Sequence, residues 1–284
     1  FFRAGRVCED CLGKIAPWPG VMHGCYRDSR MASAVVATMA STHAAIGTWR
    51  RMVEVYIALT DFARRKFIEG GLPAERIVVK PNFVVPDPGC GEHRGNYALF
   101  VGRLTPEKGI LTLLTAWERL GGQRELRIVG EGPLQDHVQA LAERTPGVIY
   151  LGRRSVTEGY DLMGDAAMVV FPSEWYETFG RIAIEAFAKG AALIASNIGA
   201  IAELVEHGRT GLLFAPGDVA DLVHTLRTLF DQPDLTATLR RNARREYEQK
   251  YTARANYEQL MQIYQRAIGE VYRGELNAPP ETRR

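Results

Sequence analysis

Hydrophobic and polar positions alternate along the second two-thirds of the chain in a way that predicts strands and helices in turn. Short apolar runs are typical of buried parallel strands, and longer segments with apolar residues three and four apart are typical of helices that cover a sheet. The predicted strands are 97–102, 125–129, 147–151, 168–172, 192–196 and 211–214, and the predicted helices are 107–120, 133–144, 156–164, 180–189, 200–207 and 218–230. This alternation indicates an α/β fold with a parallel sheet covered on both faces.

The segments on either side of this alternating region predict further helices and strands and a boundary between two domains. Upstream, the pattern predicts a helix, a strand, a helix and a strand at 29–49, 53–59, 61–70 and 76–80, and two more helices follow at 233–248 and 252–272. Residues 81–91 contain three prolines and two glycines. Because such a segment cannot continue a helix or a central strand, it predicts an interdomain linker. We therefore predict domains at 1–84 and 85–250, with 251–284 as a closing helix and tail.

Composition narrows the class of protein. The chain has 284 residues, of which 46% are hydrophobic and 24% charged, enough for one large or two moderate cores. A formal net charge of +2 argues against a nucleic-acid binder, and no apolar run approaches the roughly 20 residues of a membrane span. Residues 1–84 hold 12 Lys and Arg against 7 Asp and Glu. That excess is compatible with an anionic acceptor, with peripheral contact to a lipid surface, or with an ordinary solvated surface.

Charged residues follow two of the predicted strands where those strands end. Arg103 and Lys108 come after strand 97–102, and Glu177 lies in the loop after strand 168–172. Cations at a strand end suit a diphosphate, and the free N–H groups of the helix that Gly180 opens suit a phosphate or sugar oxygen. Glu185, farther along that helix, is within reach of a ribose. Solvated surface charges remain the alternative interpretation of each residue taken alone.

Four segments together resemble the nucleotide-binding half of a family 4 glycosyltransferase, a group 1 enzyme of the GT-B type with two Rossmann-like domains. They read F-V-G-R-L-T-P-E-K-G, V-G-E-G-P, F-P-S-E-W-Y-E-T-F-G-R-I-A-I-E and A-E-L-V-E-H-G-R-T-G-L-L-F. The resemblance extends from about Val53 to Tyr272. It implies a GT-B-like α/β fold, with a complete carboxyl-terminal Rossmann-like domain and a partial amino-terminal one. The last helix is expected to cross back to the first domain, for which it offers an apolar stripe at Tyr257, Leu260, Ile263, Tyr264, Ile268 and Val271.

The resemblance implies a retaining hexosyltransferase that moves a sugar from a nucleoside-diphosphate sugar to an acceptor hydroxyl. Its implied catalytic residues are Arg103 and Lys108, which hold the diphosphate, and Glu177, which holds the transferred sugar. The implied donor-binding residues are Gly102, Gly130, Glu131, Thr178, Phe179, Gly180 and Glu185, the last on the ribose. No catalytic metal is implied. The acceptor would be a glycan or a lipid-linked molecule in polysaccharide or glycoconjugate synthesis, and the enzyme cytoplasmic or peripheral at the inner membrane face.

Three features depart from the family pattern. Gly199-Ala200 stands where a Gly-Gly pair is expected, and neither His23 nor His43 matches the acceptor-side histidine. The segment before the linker is also short for a complete acceptor domain, so we expect the chain to be the amino-terminally truncated part of a longer protein. Two alternatives remain: a non-catalytic nucleotide-sugar binding fragment, and a GT-B-fold epimerase or phosphorylase.

Three thiols near the start of the chain have metal-like spacing. Cys8, Cys11 and Cys25 are candidates for a structural zinc site that needs a fourth ligand. Reduced free cysteines are the alternative interpretation.

Overall fold

The computed structural model describes residues 2–122 and 124–277, with side chains described as far as residue 269. Contacts divide these residues into two compact units. Unit 1 comprises residues 2–7 and 82–255, and unit 2 comprises residues 8–81 and 256–277.

The described residues form ten strands in three sheets. In chain order the strands are β1 (Phe2–Arg3), β2 (Arg6–Val7), β3 (Tyr56–Ala58), β4 (Ile77–Val79), β5 (Tyr97–Val101), β6 (Glu125–Val129), β7 (Val148–Gly152), β8 (Met168–Phe171), β9 (Leu193–Ser196) and β10 (Leu212–Phe214). Strands β1 and β2 form a small antiparallel pair, and β3 and β4 form a parallel pair. The other six make one sheet in the order β10-β9-β8-β5-β6-β7.

Twelve α-helices are present in the part of the chain that the structure describes. They are α1 (Trp18–Met22), α2 (Arg30–Ala45), α3 (Thr48–Arg51), α4 (Asp61–Glu69), α5 (Ile110–Leu120), α6 (Gln135–Arg144), α7 (Val156–Asp165), α8 (Arg181–Ala188), α9 (Gly199–Leu204), α10 (Val219–Asp231), α11 (Pro233–Lys250) and α12 (Ala253–Asn277). Short 3₁₀ turns at Ala74–Arg76 and Pro106–Lys108 complete the set.

The six-stranded sheet of unit 1 confirms the predicted α/β class. All of its adjacent strands pair in parallel, and β8 and β9 are buried along their whole length. Helices supply the rest of the core: Trp117 on α5 is fully buried and its indole N–H donates to the Arg124 carbonyl at 3.0 Å. Burying a large apolar side chain contributes roughly 1.5–3 kcal/mol. This core holds the carboxyl ends of the strands in fixed positions.

Unit 2 has a much smaller core. Its two short strands pair in parallel, from Tyr56 with Ile77 to Ala58 with Val79. Among its described residues, Ala58 and Ile77 are the buried apolar side chains. No helix among the described residues is long and apolar enough to cross a membrane.

Helix α12 begins in unit 1, and the rest of its described length belongs to unit 2. On the predicted stripe, Tyr257, Tyr264 and Ile268 are exposed. The side chain of Val271 and the predicted tail at 278–284 lie outside the described residues.

Four predicted helix boundaries were wrong by three or more residues. Helix α12 continues to Asn277 instead of ending at 272, and the other three differ where a glycine or a loop contact changes the backbone. The helix predicted from residue 107 begins only at Ile110, because Gly109 adopts a left-handed conformation with φ +68°. The helix predicted at 29–49 ends at Ala45, before Gly47 at φ +76°. Helix α9 ends at Leu204 rather than 207, since His207 bridges to Gly211.

Candidate functional site

A cavity of about 340 Å³ opens at the carboxyl ends of β5 and β8. The strand order of the sheet changes direction between these two strands. After β5 the chain adds β6 and β7 on one side, and it then adds β8 on the other side of β5. In open parallel sheets this reversal leaves a crevice that commonly binds ligands. Seven residues predicted from the sequence line the cavity: Gly102, Arg103, Lys108, Glu177, Thr178, Phe179 and Gly180.

Glycines allow the loops at this edge to approach one another. A Cβ on Gly109 would lie 1.8 Å from the Pro172 carbonyl oxygen, and one on Gly130 would lie 1.8 Å from the Gly102 carbonyl oxygen. Both positions also have positive φ, +68° and +144°. Their lack of a side chain therefore lets the turn after β5 lie directly against its neighbours.

Lys108 and Glu177 form an ion pair inside the cavity. The Lys108 Nζ lies 2.5 Å from the Glu177 Oε1, and their side chains are only 20% and 9% exposed. Lys108 Nζ also lies 5.3 Å from the centre of the Trp175 ring. Partial burial makes this pair stronger than a surface ion pair, because water screens it less. A lysine keeps two further N–H donors for a ligand.

Arg103 is the second cation of the cavity, and its side chain is exposed. Within the described ranges, no hydrogen bond or ion pair of its guanidinium is found. A guanidinium without such contacts can bind two oxygens of an incoming anion at once.

The amino end of α8 adds backbone donors. Gly180 caps the helix with φ +102°, and Arg181 and Ile182 of the first turn line the cavity. The first N–H groups of a helix have no partner within it, and the helix dipole favours negative charge there. The cavity thus combines three cations, Arg103, Lys108 and Arg181, with a helix start and one carboxylate.

Glu185 lies beside this cavity and is not part of its lining. Its side chain is 14% exposed, and Arg181 Nη2 donates to Glu185 Oε1 at 3.1 Å. Burial raises the pKa of the Glu185 carboxyl, while Arg181 opposes that rise. Arg181 therefore covers the carboxylate that was predicted to hold a ribose.

Gly130 and Glu131 also lie outside the lining of the cavity. The Gly130 carbonyl accepts a 2.9 Å hydrogen bond from the Tyr150 hydroxyl. Glu131 is paired with Arg153 at 3.2 Å, and its backbone carbonyl accepts from the Leu104 N–H. In the structure the Glu131 carbonyl holds the turn that carries Arg103, and Gly130 allows the close approach of Gly102.

Sequence reasoning missed three polar residues at this site. Asn82 and Arg181 line the cavity, and the fully buried Ser173 hydroxyl donates to Glu177 Oε1 at 2.7 Å. Arg181 could have been recognised from its place directly after the helix-opening glycine. Asn82 and Ser173 carry no comparable signal, because their positions depend on contacts between distant segments.

The zinc prediction is not supported. Cys8, Cys11 and Cys25 are free thiols, and Cys25 is exposed. Cys11 Sγ instead faces the Pro17 carbonyl at 3.8 Å. Among the described residues, no group of three or more His, Cys, Asp or Glu could hold a metal ion. A zinc site needs its sulfur ligands about 2.3 Å from one point, and these three thiols do not form such a group.

A family model described as "Glycosyl transferases group 1" matches residues 91–246. Among curated proteins, the glycogen synthase of Mycobacterium tuberculosis is 36% identical over 188 residues, which cover 64% of this chain and 44% of that protein. The sulfoquinovosyl transferase SQD2 of Arabidopsis thaliana is 32% identical over 58% of this chain and 32% of its own length. This chain thus spans less than half the length of these relatives.

Solved structures share the fold. Anabaena Alr3699/HepE in complex with UDP superposes with a TM-score of 0.73 at 24% identity, covering 80% of this chain and 68% of that one. Sucrose-phosphate synthase from Thermosynechococcus elongatus gives a TM-score of 0.71 at 21% identity, covering 91% and 67%. These neighbours confirm the predicted GT-B fold class.

Proposed function

Because this chain belongs to the group 1 glycosyl transferases, we propose that it binds a nucleoside-diphosphate sugar in the cavity at β5 and β8. In this proposal the sugar, a hexose, is transferred to an acceptor hydroxyl with its anomeric configuration retained, as in family 4. The acceptor is a glycan or a lipid-linked molecule of polysaccharide or glycoconjugate synthesis. UDP is bound in the Anabaena neighbour and the mycobacterial relative is a glycogen synthase, and both support a donor and an acceptor of these classes.

One observation carries the proposal. Arg103, Lys108 and the amino end of α8 line a single cavity together with the carboxylate of Glu177. Departure of a nucleoside diphosphate leaves negative charge on the bridging oxygen, and these donors stabilise that charge as it develops. Glu177 is left to accept hydrogen bonds from hydroxyl groups of the sugar.

The two carboxylates are not proposed as the acid and base of a glycoside hydrolase. Such residues flank a glycosidic bond across a cleft. Here Glu177 lines the cavity, whereas Glu185 lies outside its lining and is bonded to Arg181. Binding of the ribose by Glu185 would require Arg181 to release it.

Calorimetry with UDP and GDP tests the proposal. We expect one of them to bind, and Lys108→Ala to weaken that binding by roughly 1.5–3 kcal/mol, the typical contribution of a hydrogen bond to a charged group. Arg241→Ala is the matched control, since Arg241 is a cation of α11 that bonds Thr238 and does not line the cavity. Equal affinities of Lys108→Ala and the unaltered chain would exclude this cavity as the phosphate site.

Transfer itself is tested by incubating the chain with UDP- and GDP-sugars and glycan or lipid-linked acceptors. NMR of the product then reports the anomeric configuration. An inverted linkage would contradict the retaining mechanism. Binding without any transfer would favour the non-catalytic alternative.

A further inference from the structure

Two loops of unit 1 are joined at the cavity by several contacts. One is the turn from Thr105 to Thr112, and the other is the loop from Pro172 to Glu177. The Glu174 N–H donates to the Glu107 carbonyl at 2.8 Å, and Thr112 Oγ1 donates to Glu174 Oε1 at 2.5 Å. These contacts fix the loops to each other without involving Glu177.

Ser173 adds a contact of another kind. Its side chain is 0% exposed, and its hydroxyl lies 2.7 Å from Glu177 Oε1 and 3.3 Å from the Glu107 carbonyl oxygen. A serine hydroxyl has one hydrogen to donate. The charged and closer acceptor is the carboxylate, and the Glu107 carbonyl already accepts from Glu174 N–H. The hydroxyl is therefore assigned to Glu177.

Both contacts of the Glu177 carboxylate go to the same oxygen. Oε1 accepts from Ser173 Oγ and from Lys108 Nζ. Within the part of the chain that the structure describes, no hydrogen bond to Oε2 is found. Since Glu177 lines the cavity, a ligand there meets a carboxylate with one oxygen held and the other available.

We propose that Ser173 is a positioning residue that aims Oε2 of Glu177 at the sugar of the donor. This inference rests on the proposed function and adds to it a residue that touches neither the diphosphate nor the reacting atoms. Lys108 cannot do this alone, because its flexible side chain must also serve the diphosphate. The short, buried serine gives Glu177 a fixed second support.

The proposal separates sugar recognition from diphosphate recognition. The measured quantity is the affinity for UDP-glucose relative to UDP, and for GDP-mannose relative to GDP. Ser173→Ala should lower this ratio about tenfold, which corresponds to about 1.4 kcal/mol, and should leave the affinity for the bare nucleotide nearly unchanged. Ser173→Thr, which keeps the hydroxyl, should restore most of the ratio.

Thr112→Ala is the matched control. It also removes a hydroxyl–carboxylate contact between the two loops, but from Glu174, which does not line the cavity. We expect it to leave the ratio unchanged. An equal loss in Thr112→Ala and Ser173→Ala, or no loss in Ser173→Ala, would overturn the positioning role and leave the proposed function standing. If the unaltered chain bound neither nucleotide, the proposed function would fail and this inference with it.

Discussion

The two carboxylates of the E-T-F-G-R-I-A-I-E segment have different electrostatic partners. Glu177 neutralises the cavity-lining Lys108, whereas Glu185 is covered by Arg181. Both cations would be drawn to a bound diphosphate, so each carboxylate affects nucleotide binding through its partner as well as through its own hydrogen bonds.

Substitution of the two carboxylates should nevertheless have opposite effects on the affinity for a bare nucleoside diphosphate, because Glu185 is expected to bond the ribose itself and loss of that contact should outweigh the release of Arg181. Glu177→Gln removes the charge that competes for Lys108, and we expect tighter binding. Glu185→Gln removes the proposed ribose acceptor, and we expect weaker binding by roughly 1–3 kcal/mol. Calorimetry with UDP and GDP measures both. A similar weakening in the two variants would contradict this division of roles.

A pH effect on stability is expected from His93, a half-buried residue whose backbone N–H donates to the Gly164 carbonyl. Burial, together with the charges of Arg240 and Lys189, lowers the pKa of His93 to about 4, and a hydrogen bond to the Ala166 backbone and the charge of Asp165 act in the opposite direction. An unfolded histidine has a pKa near 6.5. The unfolded state therefore takes up the proton first, and stability falls as the pH drops from about 6.5 to 4.

The predicted loss from His93 is at most about 3 kcal/mol, and smaller because the ring is partly in contact with water. His93→Asn keeps a residue that tolerates the positive φ of +53° at this position. Urea unfolding at pH 7 and pH 4.5 should show a smaller pH dependence in this variant than in the unaltered chain. Identical pH dependence in the two proteins would exclude His93 as the source.

At this scale, sequence reasoning identified three of the four charged residues that line the cavity, missed Arg181, and did not identify their pairing. The local hydrophobic pattern shows where each strand ends, and the residues that follow those ends include Arg103, Lys108 and Glu177. The bond between Lys108 and Glu177 joins positions 69 residues apart. Such a contact depends on which strands are neighbours, which periodicity alone does not determine.

At the scale of elements, the turn between β5 and α5 has the most influence on the site. A local helical pattern predicted a helix from 107, but Gly109 adopts a left-handed conformation and the helix starts at Ile110. The reason is the approach of the Pro172 carbonyl, which no local pattern reveals. The strands of the large sheet were predictable because β8 is uniformly apolar, β9 is apolar up to Ser196, and both are buried.

Gly109→Ala should disturb this turn. An alanine at φ +68° has a strained backbone, which costs about 1–2 kcal/mol, and its Cβ would also meet the Pro172 oxygen at 1.8 Å. Overpacking of this kind adds about 1–3 kcal/mol. We expect a lower free energy of unfolding and weaker binding of UDP or GDP, measured by urea titration and calorimetry.

Gly121→Ala provides the comparison for this variant. Gly121 has a similar φ of +76°, and a Cβ there would meet nothing within 4 Å. This control should lose only the free energy of unfolding that the strained backbone costs, and its affinity for UDP or GDP should be unchanged. Equal losses of stability in the two variants would show that the close approach of Gly109 to the Pro172 carbonyl is unimportant.

At the scale of the whole molecule, the two units differ in how much they bury. Nearly all buried apolar side chains among the described residues belong to unit 1, and the cavity is lined by unit 1 alone. Elements with few buried contacts open more easily than a packed core.

Amide hydrogen exchange should reflect this difference. Strands β5, β6, β8 and β9 should exchange slowest, and β3 and β4 markedly faster. Saturating UDP or GDP should add protection at 102–109 and 173–182 and leave 8–81 unchanged, because the proposed ligand contacts lie in the first two segments. Protection gained mainly in residues 8–81 would place the nucleotide elsewhere.

The indole of Trp175 lies next to the Lys108 ammonium, with 5.3 Å between Nζ and the ring centre. Tryptophan emission responds to nearby charge, so movement of Lys108 toward a phosphate would alter the intrinsic fluorescence of the chain. None of the four tryptophans, Trp18, Trp49, Trp117 and Trp175, is a lining residue of the cavity, and Trp175 is linked to it through its contact with Lys108. Trp175 therefore gives the site an optical reporter, and Trp175→Phe should remove its signal from a nucleotide titration.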